Sequence, residues 1–252
     1  MSPNQSESES SAPVYLGAGN AEKGAAGHIE RHITPGGHPV DYSQPGIPVE
    51  HRKYGNPIPL GLITFAVDFF LVGLYVLGAR DVQSTAIVIP VLMLLGGISQ
   101  TFVGWFEMFI GNTYSATIFG TFGGFNMCYA AIYIPSFGVL DAFKDANGKL
   151  GDSFNQAMGI FFVVWSIVGF FFVLASFRSS VAILSTLTFT TLTFVCLAIF
   201  NMTGTKGSQY ASGAMACIAA WCGFWAALAG YWSPDTTYDF IRLPPISLAK
   251  ED

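Results

Sequence analysis

A lone carboxylate breaks an otherwise apolar run. Asp68 stands near the middle of the stretch Pro59–Ala79, with Val67 before it and Phe69 after. Such a group is protonated, paired or hydrated, because an unpaired charge is expensive in hydrocarbon. Its chemistry is that of a proton carrier or gate, or else that of a neutral acid packed between helices. Phe65 lies about one turn earlier on the same face of a helix. Gln100 and Glu107 are seven residues apart and share a helix face. Asn112, the last residue of the short break "FIGN", and Thr113 open the third segment, where Asn is a natural N-cap. Asn126 lies deeper in the same segment. Thr186, Thr190, Thr193 and Asn201 fall on roughly one face of a later segment. Such a stripe lines a wet path or bonds back to its own helix.

Catalytic patterns are absent. The sequence shows no hydrolase elbow, no phosphate loop and no paired Cys/His set. Cys128, Cys196, Cys217 and Cys222 all fall inside apolar runs and read as small buried residues. No metal, no cofactor and no enzymatic activity is expected, and the polar groups point to transport.

The elements that must position these residues follow from composition. Of 252 residues, 52% are hydrophobic and 11% charged, against roughly a quarter charged in soluble domains. The fold class expected is an all-α integral membrane protein. Six apolar segments reach the roughly 20 residues that a bilayer crossing requires. They run about Pro59–Ala79, Thr85–Met108, Thr113–Ile134, Phe154–Phe177, Val181–Met202 and Gln209–Trp232. Residues 1–55 form a polar tail rich in Ser, Gly and Pro, expected to be disordered and cytosolic. Residues 56–232 form the transmembrane domain, and 233–252 a cytosolic C-terminal tail. Six crossings place both termini on one side. That side carries Arg52, Lys53, Arg178, Arg242 and Lys250, against Arg80, Lys144, Lys149 and Lys206 opposite, a five-to-four bias toward cytosolic termini. The net charge of −5 offers no basic face for nucleic acid. Small residues for close helix approach occur as Gly97, Thr101 and Gly104, as Gly120 and Gly124, and as Ala226 and Gly230.

The stretch "YGNPIPLGL", Tyr54 to Leu62, opens the first segment. Asn56 can cap a helix there and Pro57 can occupy its first position. The result is a stiff helix start whose N–H groups suit anions, though each proline removes one donor.

"NPIPLGL" resembles the signature of the acetate uptake transporter family, which includes bacterial succinate–acetate permeases and fungal acetate and ammonia-export proteins. "GGISQTFVGWFEMFIGNTYSATIFGTFGGF", Gly96 to Phe125, is similar to that family's second and third helices. "AAIYIPSFGVLDAFKDANGKLGDSFN" resembles the fungal branch. The resemblance implies six helices per protomer around a narrow path, a ring-shaped homohexamer, and passage of acetate and related short monocarboxylates with proton coupling. It implies an apolar constriction at Phe65, Phe122 and Thr190. Phe122 stands where Tyr is common, and Thr190 where Leu is common. Asp68 stands where the family pattern has no carboxylate.

The mechanism expected combines the two lines. An apolar ring at Phe65 and Phe122 demands desolvation of a carboxylate. Asn56, Pro57, Gln100, Asn112, Thr113, Thr186 and Thr193 are the expected substrate-binding residues, and Asp68 and Glu107 the proton-coupling candidates. The expected location is the plasma membrane. Two other classes fit the same residues: a passive anion or ammonia channel, and an acetate-responsive sensor whose working part is the tail.

Overall fold

The computed structural model describes residues 54–248, apart from 83, 235 and 245. The expected N-terminal tail lies outside the described residues save for Tyr54 and Gly55. Among the described residues there are six long helices: α1 Ile58–Val76, α2 Val88–Phe109, α3 Thr113–Tyr133, α4 Asp152–Ala175, α5 Val181–Thr203 and α6 Lys206–Tyr231. All but α3 are long and apolar enough to cross a membrane, which makes five. At 21 residues α3 has the length, but Thr, Ser, Gly and Asn dilute its apolar content.

Local chemistry fixes the ends. Asn56 Oδ1 accepts the Ile58 N–H at 3.1 Å, and Pro57 takes the cap position, so the helix starts one residue later than Asn capping implies. Gly78, at φ +74, turns the chain out of α1 in a conformation that glycine adopts without strain. Asn112 caps α3 as expected, accepting the Ser115 N–H at 3.3 Å. Ile134 is extended before Pro135, which closes α3. Ser180 Oγ accepts the Ile183 N–H at 3.3 Å and caps α5.

One feature of α2 differs from the expectation of a plain helix. Residues Val91–Ile98 form π-helix directly after Pro90. Proline at 90 supplies no N–H to the turn before it, and the wider winding places Gly96 and Gly97 against neighbouring helices.

The helices pack as α4–α5–α6–α1 on one side, with α2 and α3 as a tight pair on the other, and α1 touches α2. The α2–α3 seam is built on small residues. A Cβ added to Gly104 would stand 2.5 Å from Gly120 N and 2.8 Å from its Cα. A Cβ on Gly123 would collide with the Thr101 side chain. The expected pair Gly120 and Gly124 is therefore reassigned in part. Gly124 meets nothing, and Gly120 contributes its backbone while its own side-chain direction is open. By contrast α3 and α4 meet through large side chains, with Phe125 against Trp165 at 4.8 Å and against Phe161 at 5.8 Å between ring centroids. Space for a path therefore opens where α3 faces α1, α4 and α5.

The C-terminal segment does not trail free. Val181 N–H bonds Ile246 O and Leu248 N–H bonds Ser179 O, both at 2.9 Å, so the segment pairs with the α4–α5 turn.

These contacts set an expected outcome. Gly104→Ala forces α2 and α3 apart and lowers stability by about 1–3 kcal/mol, the usual range for overpacking. Gly124→Ala, meeting open space, stays within about 0.5 kcal/mol of the parent. Chemical unfolding of the purified variants in detergent checks the contrast.

Candidate functional site

Four buried rings close the centre of the molecule. Phe65 stacks on Phe69 at 4.5 Å, Phe69 meets Phe194 at 6.0 Å, Phe194 meets Phe122 at 6.5 Å, and Phe122 returns to Phe65 at 6.1 Å. The cycle joins α1, α3 and α5. Each contact adds about 0.5–1.5 kcal/mol beyond area burial. The ring includes the expected Phe65 and Phe122. It also includes Phe69 and Phe194, which sequence reasoning missed. Their signal was present: Phe69 is four residues after Phe65, and Phe194 four after Thr190. Thr190 is fully buried on α5, one turn from Phe194. Gly223 of α6 backs the ring, its Cβ direction ending 3.2 Å from Phe65 Cδ1.

A cavity lies on each side of the ring. The first is about 40 Å³, between α1, α2, α3 and α5, and its lining includes Leu62, Gln100, Tyr114, Ser115 and Thr186. The second is also about 40 Å³, and its lining includes Leu92, Asn126, Tyr129 and Thr193. It shares Val72, Val76, Leu92 and Tyr129 with an outer space of about 280 Å³ that reaches Thr85 and Gln209. Each small cavity exceeds the roughly 10–15 Å³ needed to admit one water. The ring of phenylalanines is thus the partition in a line of spaces.

Polar atoms along this line are few and distinct. Gln100 is fully buried, and neither its Nε2 nor its Oε1 has a hydrogen-bond partner. Tyr114 also borders the first cavity, with the Ser176 and Ser179 hydroxyls near its own. An amide left so in an apolar wall is costly unless something enters to meet it. The threonine stripe bonds its own helix. Thr186 Oγ1 donates to Ala182 O, Thr190 Oγ1 to Thr186 O and Thr193 Oγ1 to Phe189 O, at 2.7, 2.7 and 2.8 Å. Asn201 Nδ2 also donates to its own helix, at Leu197 O.

The carboxylates lie elsewhere than the mechanism expected. Asp68 is buried and lines neither cavity. It points to α2 and α3, where its Oδ2 accepts Asn126 Nδ2 at 3.4 Å and Oδ1 has no partner. Only a glycine fits at 96, since a Cβ there would overlap Asp68 Oδ2. Glu107, also buried, lines neither cavity and accepts a hydrogen bond from Asn112 Nδ2 at the α2–α3 turn. Of the expected substrate-binding residues, Gln100 and Thr186 reach the first cavity and Thr193 the second. Asn56 and Thr113 are exposed, Asn112 is held between Glu107 and Ser115, and none of them nor Pro57 lines either cavity. The helix start at Asn56–Pro57 directly precedes Ile58, which with Leu62 borders the first cavity.

Residues 41–250 match the model of the GPR1/FUN34/yaaH family. The chain belongs to this family. Among relatives, Ammonia transport outward protein 2 of Saccharomyces cerevisiae is 32% identical over 209 residues, covering 82% of this chain and 72% of that protein. Acetate permease A of Emericella nidulans is 32% identical, covering 80% of this chain and 70% of the relative. The structure of the bacterial acetate channel SatP aligns with a TM-score of 0.65 at 24% identity, over 77% of this chain and all of that one. That likeness shows the fold. Membership in a family of such transporters and channels accords with an all-helical chain that has five apolar, membrane-capable helices among its described residues.

The turn between α2 and α3 yields a second expected outcome. Asn112→Ala removes both the cap of α3 and the partner of a buried carboxylate. It lowers stability by about 1–3 kcal/mol, seen as a fall in the thermal midpoint of the detergent-solubilised protein. Thr113→Ala, at an exposed first-turn position, changes the midpoint little.

Proposed function

We propose that the chain carries acetate and related short monocarboxylates across a membrane, with proton coupling, along the line of cavities broken by the four-phenylalanine ring. The observation that supports this most directly is Gln100: an unpartnered buried amide beside an apolar chamber just before the ring. In this reading the Gln100 amide turns its donor to a carboxylate oxygen while the apolar wall receives a methyl group. The names of the relatives, acetate permease and acetate channel, supply the substrate class.

In this proposal all six helices cross the bilayer and both termini face the cytosol of the plasma membrane. The exposed stripe Leu94, Ile98, Phe102, Trp105 and Phe109 of α2 faces lipid or a second copy, in keeping with a ring of six. Asp68 and Glu107 are the carboxyl groups proposed for coupling, both buried within the helices. Asp68→Asn with unchanged pH-dependent uptake removes Asp68 as the coupling group.

Reconstitution into vesicles tests the proposal. Radiolabelled acetate should enter protein-bearing vesicles above the protein-free background, faster with an acidic exterior. Uptake indifferent to the gradient rejects coupling, and no uptake above background rejects transport. Gln100→Leu should raise the half-saturating acetate concentration by about tenfold or more, as expected for a lost charge-assisted hydrogen bond. Phe65→Ala should open the partition and raise uptake of lactate proportionately more than that of acetate.

A second reading is supported by a specific observation. A ring of four phenylalanines passes small neutral solutes with least desolvation, and a relative is named for outward ammonia transport. Acidification or alkalinisation of vesicles under an ammonium gradient separates it from acetate uptake.

A further inference from the structure

Among the described residues, four polar side chains line the first cavity: Gln100 of α2, Tyr114 and Ser115 of α3, and Thr186 of α5. They differ in what holds them. Thr186 Oγ1 donates to Ala182 O at 2.7 Å. Ser115 Oγ accepts Asn112 Nδ2 at 3.0 Å, in the cluster that also holds Glu107. Both hydroxyls are tied to their own surroundings. The Gln100 amide is tied at neither end. It is therefore free to present Nε2 rather than Oε1 to a solute.

Tyr114 is the fourth. Asn112 and Thr113, expected to bind cargo, stop short of the cavity, and the next residue reaches it. Away from the cavity its hydroxyl has those of Ser176 and Ser179, at the α4–α5 turn, as neighbours. Both serine protons are already used. Ser176 Oγ donates to Phe172 O, and Ser179 Oγ to Ser176 O at 2.7 Å. A hydroxyl so committed has only lone pairs left to offer. Toward the serines Tyr114 can therefore act only as the donor. The turn is itself fixed, since Ser179 O accepts the Leu248 N–H at 2.9 Å.

Resting on the transport reading above, we propose that Tyr114 is a second cargo-binding residue, which with Gln100 makes a two-point clamp for a carboxylate. Gln100 Nε2 donates to one oxygen. The Tyr114 O–H, turning about its C–O bond from the serines to the cavity, donates to the other. A carboxylate favours that turn, because a bond to a charged acceptor is stronger than one to a neutral hydroxyl. The two donors come from different helices onto a space of about 40 Å³, so a solute touching one lies within reach of the other. Leu62, Ile118 and Leu187 complete the wall and receive the alkyl end. A solute with a single acceptor oxygen leaves one donor unmet, which makes Tyr114 a specificity-determining residue for the carboxylate class.

Uptake of radiolabelled acetate into proteoliposomes, with unlabelled acetate or acetamide as competitor, tests the clamp. Acetamide has the shape of acetate with an N–H donor group in place of one acceptor oxygen. In the parent it should compete about tenfold less well than acetate, the worth of one lost hydrogen bond. Equal competition overturns the clamp, and this arm decides the matter if a variant does not fold. Tyr114→Phe keeps the ring and deletes the hydroxyl. It should raise the half-saturating acetate concentration about tenfold with maximal uptake retained. It should also narrow the gap between acetate and acetamide. A fall in maximal uptake with that gap unchanged marks a packing role and overturns the assignment, as does an unchanged half-saturating concentration. Either result leaves the transport reading standing. Parent vesicles without acetate uptake above background reject that reading, and this inference falls with it.

Discussion

Inside a bilayer a polar atom has no water to turn to, so each hydrogen bond must be made within the protein or left for the cargo. That constraint orders the rest of the molecule. The threonines of α5 satisfy their protons on their own helix, and Asn201 does the same. Asn112 and Glu107 satisfy each other at the α2–α3 turn. What remains unsatisfied among the described residues is sparse, and includes Gln100 and Asn126 beside the cavities as well as Asp68 and Thr101 away from them. Stability and passage are thus decided by the same accounting of donors and acceptors.

Room for that line comes from unequal helix packing. Glycines bring α2 and α3 into backbone contact at Gly104 and Gly123, while aromatic side chains hold α3 away from α4 and α5. Small residues make the rigid half and large rings make the half with cavities. The phenylalanine ring lies in the second half, where each ring has two neighbours in the cycle and further support from Phe172 and Gly223. A partition of this kind excludes charge by desolvation rather than by repulsion.

Much of this was legible in the sequence, because membrane helices announce themselves by length and apolar content. The six helices begin and end within a few residues of their expected bounds. The cap at Asn112 and the meeting of Phe65 with Phe122 followed from local rules and from the family pattern. What the sequence hid was directional. Asp68 shares a helix with Phe65, yet its carboxyl turns to Asn126 on another helix, which periodicity within one segment does not reveal. The π-helical stretch after Pro90 rotates Gly96 into the space that Asp68 requires, and no simple period marks it. The polar residues at Asn56 and Thr113 were chemically plausible and spatially outside the cavities.

The pairing of Ile246 and Leu248 with the α4–α5 turn has a practical side. Those two main-chain bonds anchor the start of α5, the helix that carries Ile183 and Thr186 into the first cavity. A fluorescent protein or affinity handle appended to the C-terminus pulls on that anchor and is not a neutral addition. The exposed turn at Asp145–Gly148, closed by its own Asp145 side-chain and main-chain bonds, is the better place to graft a reporter.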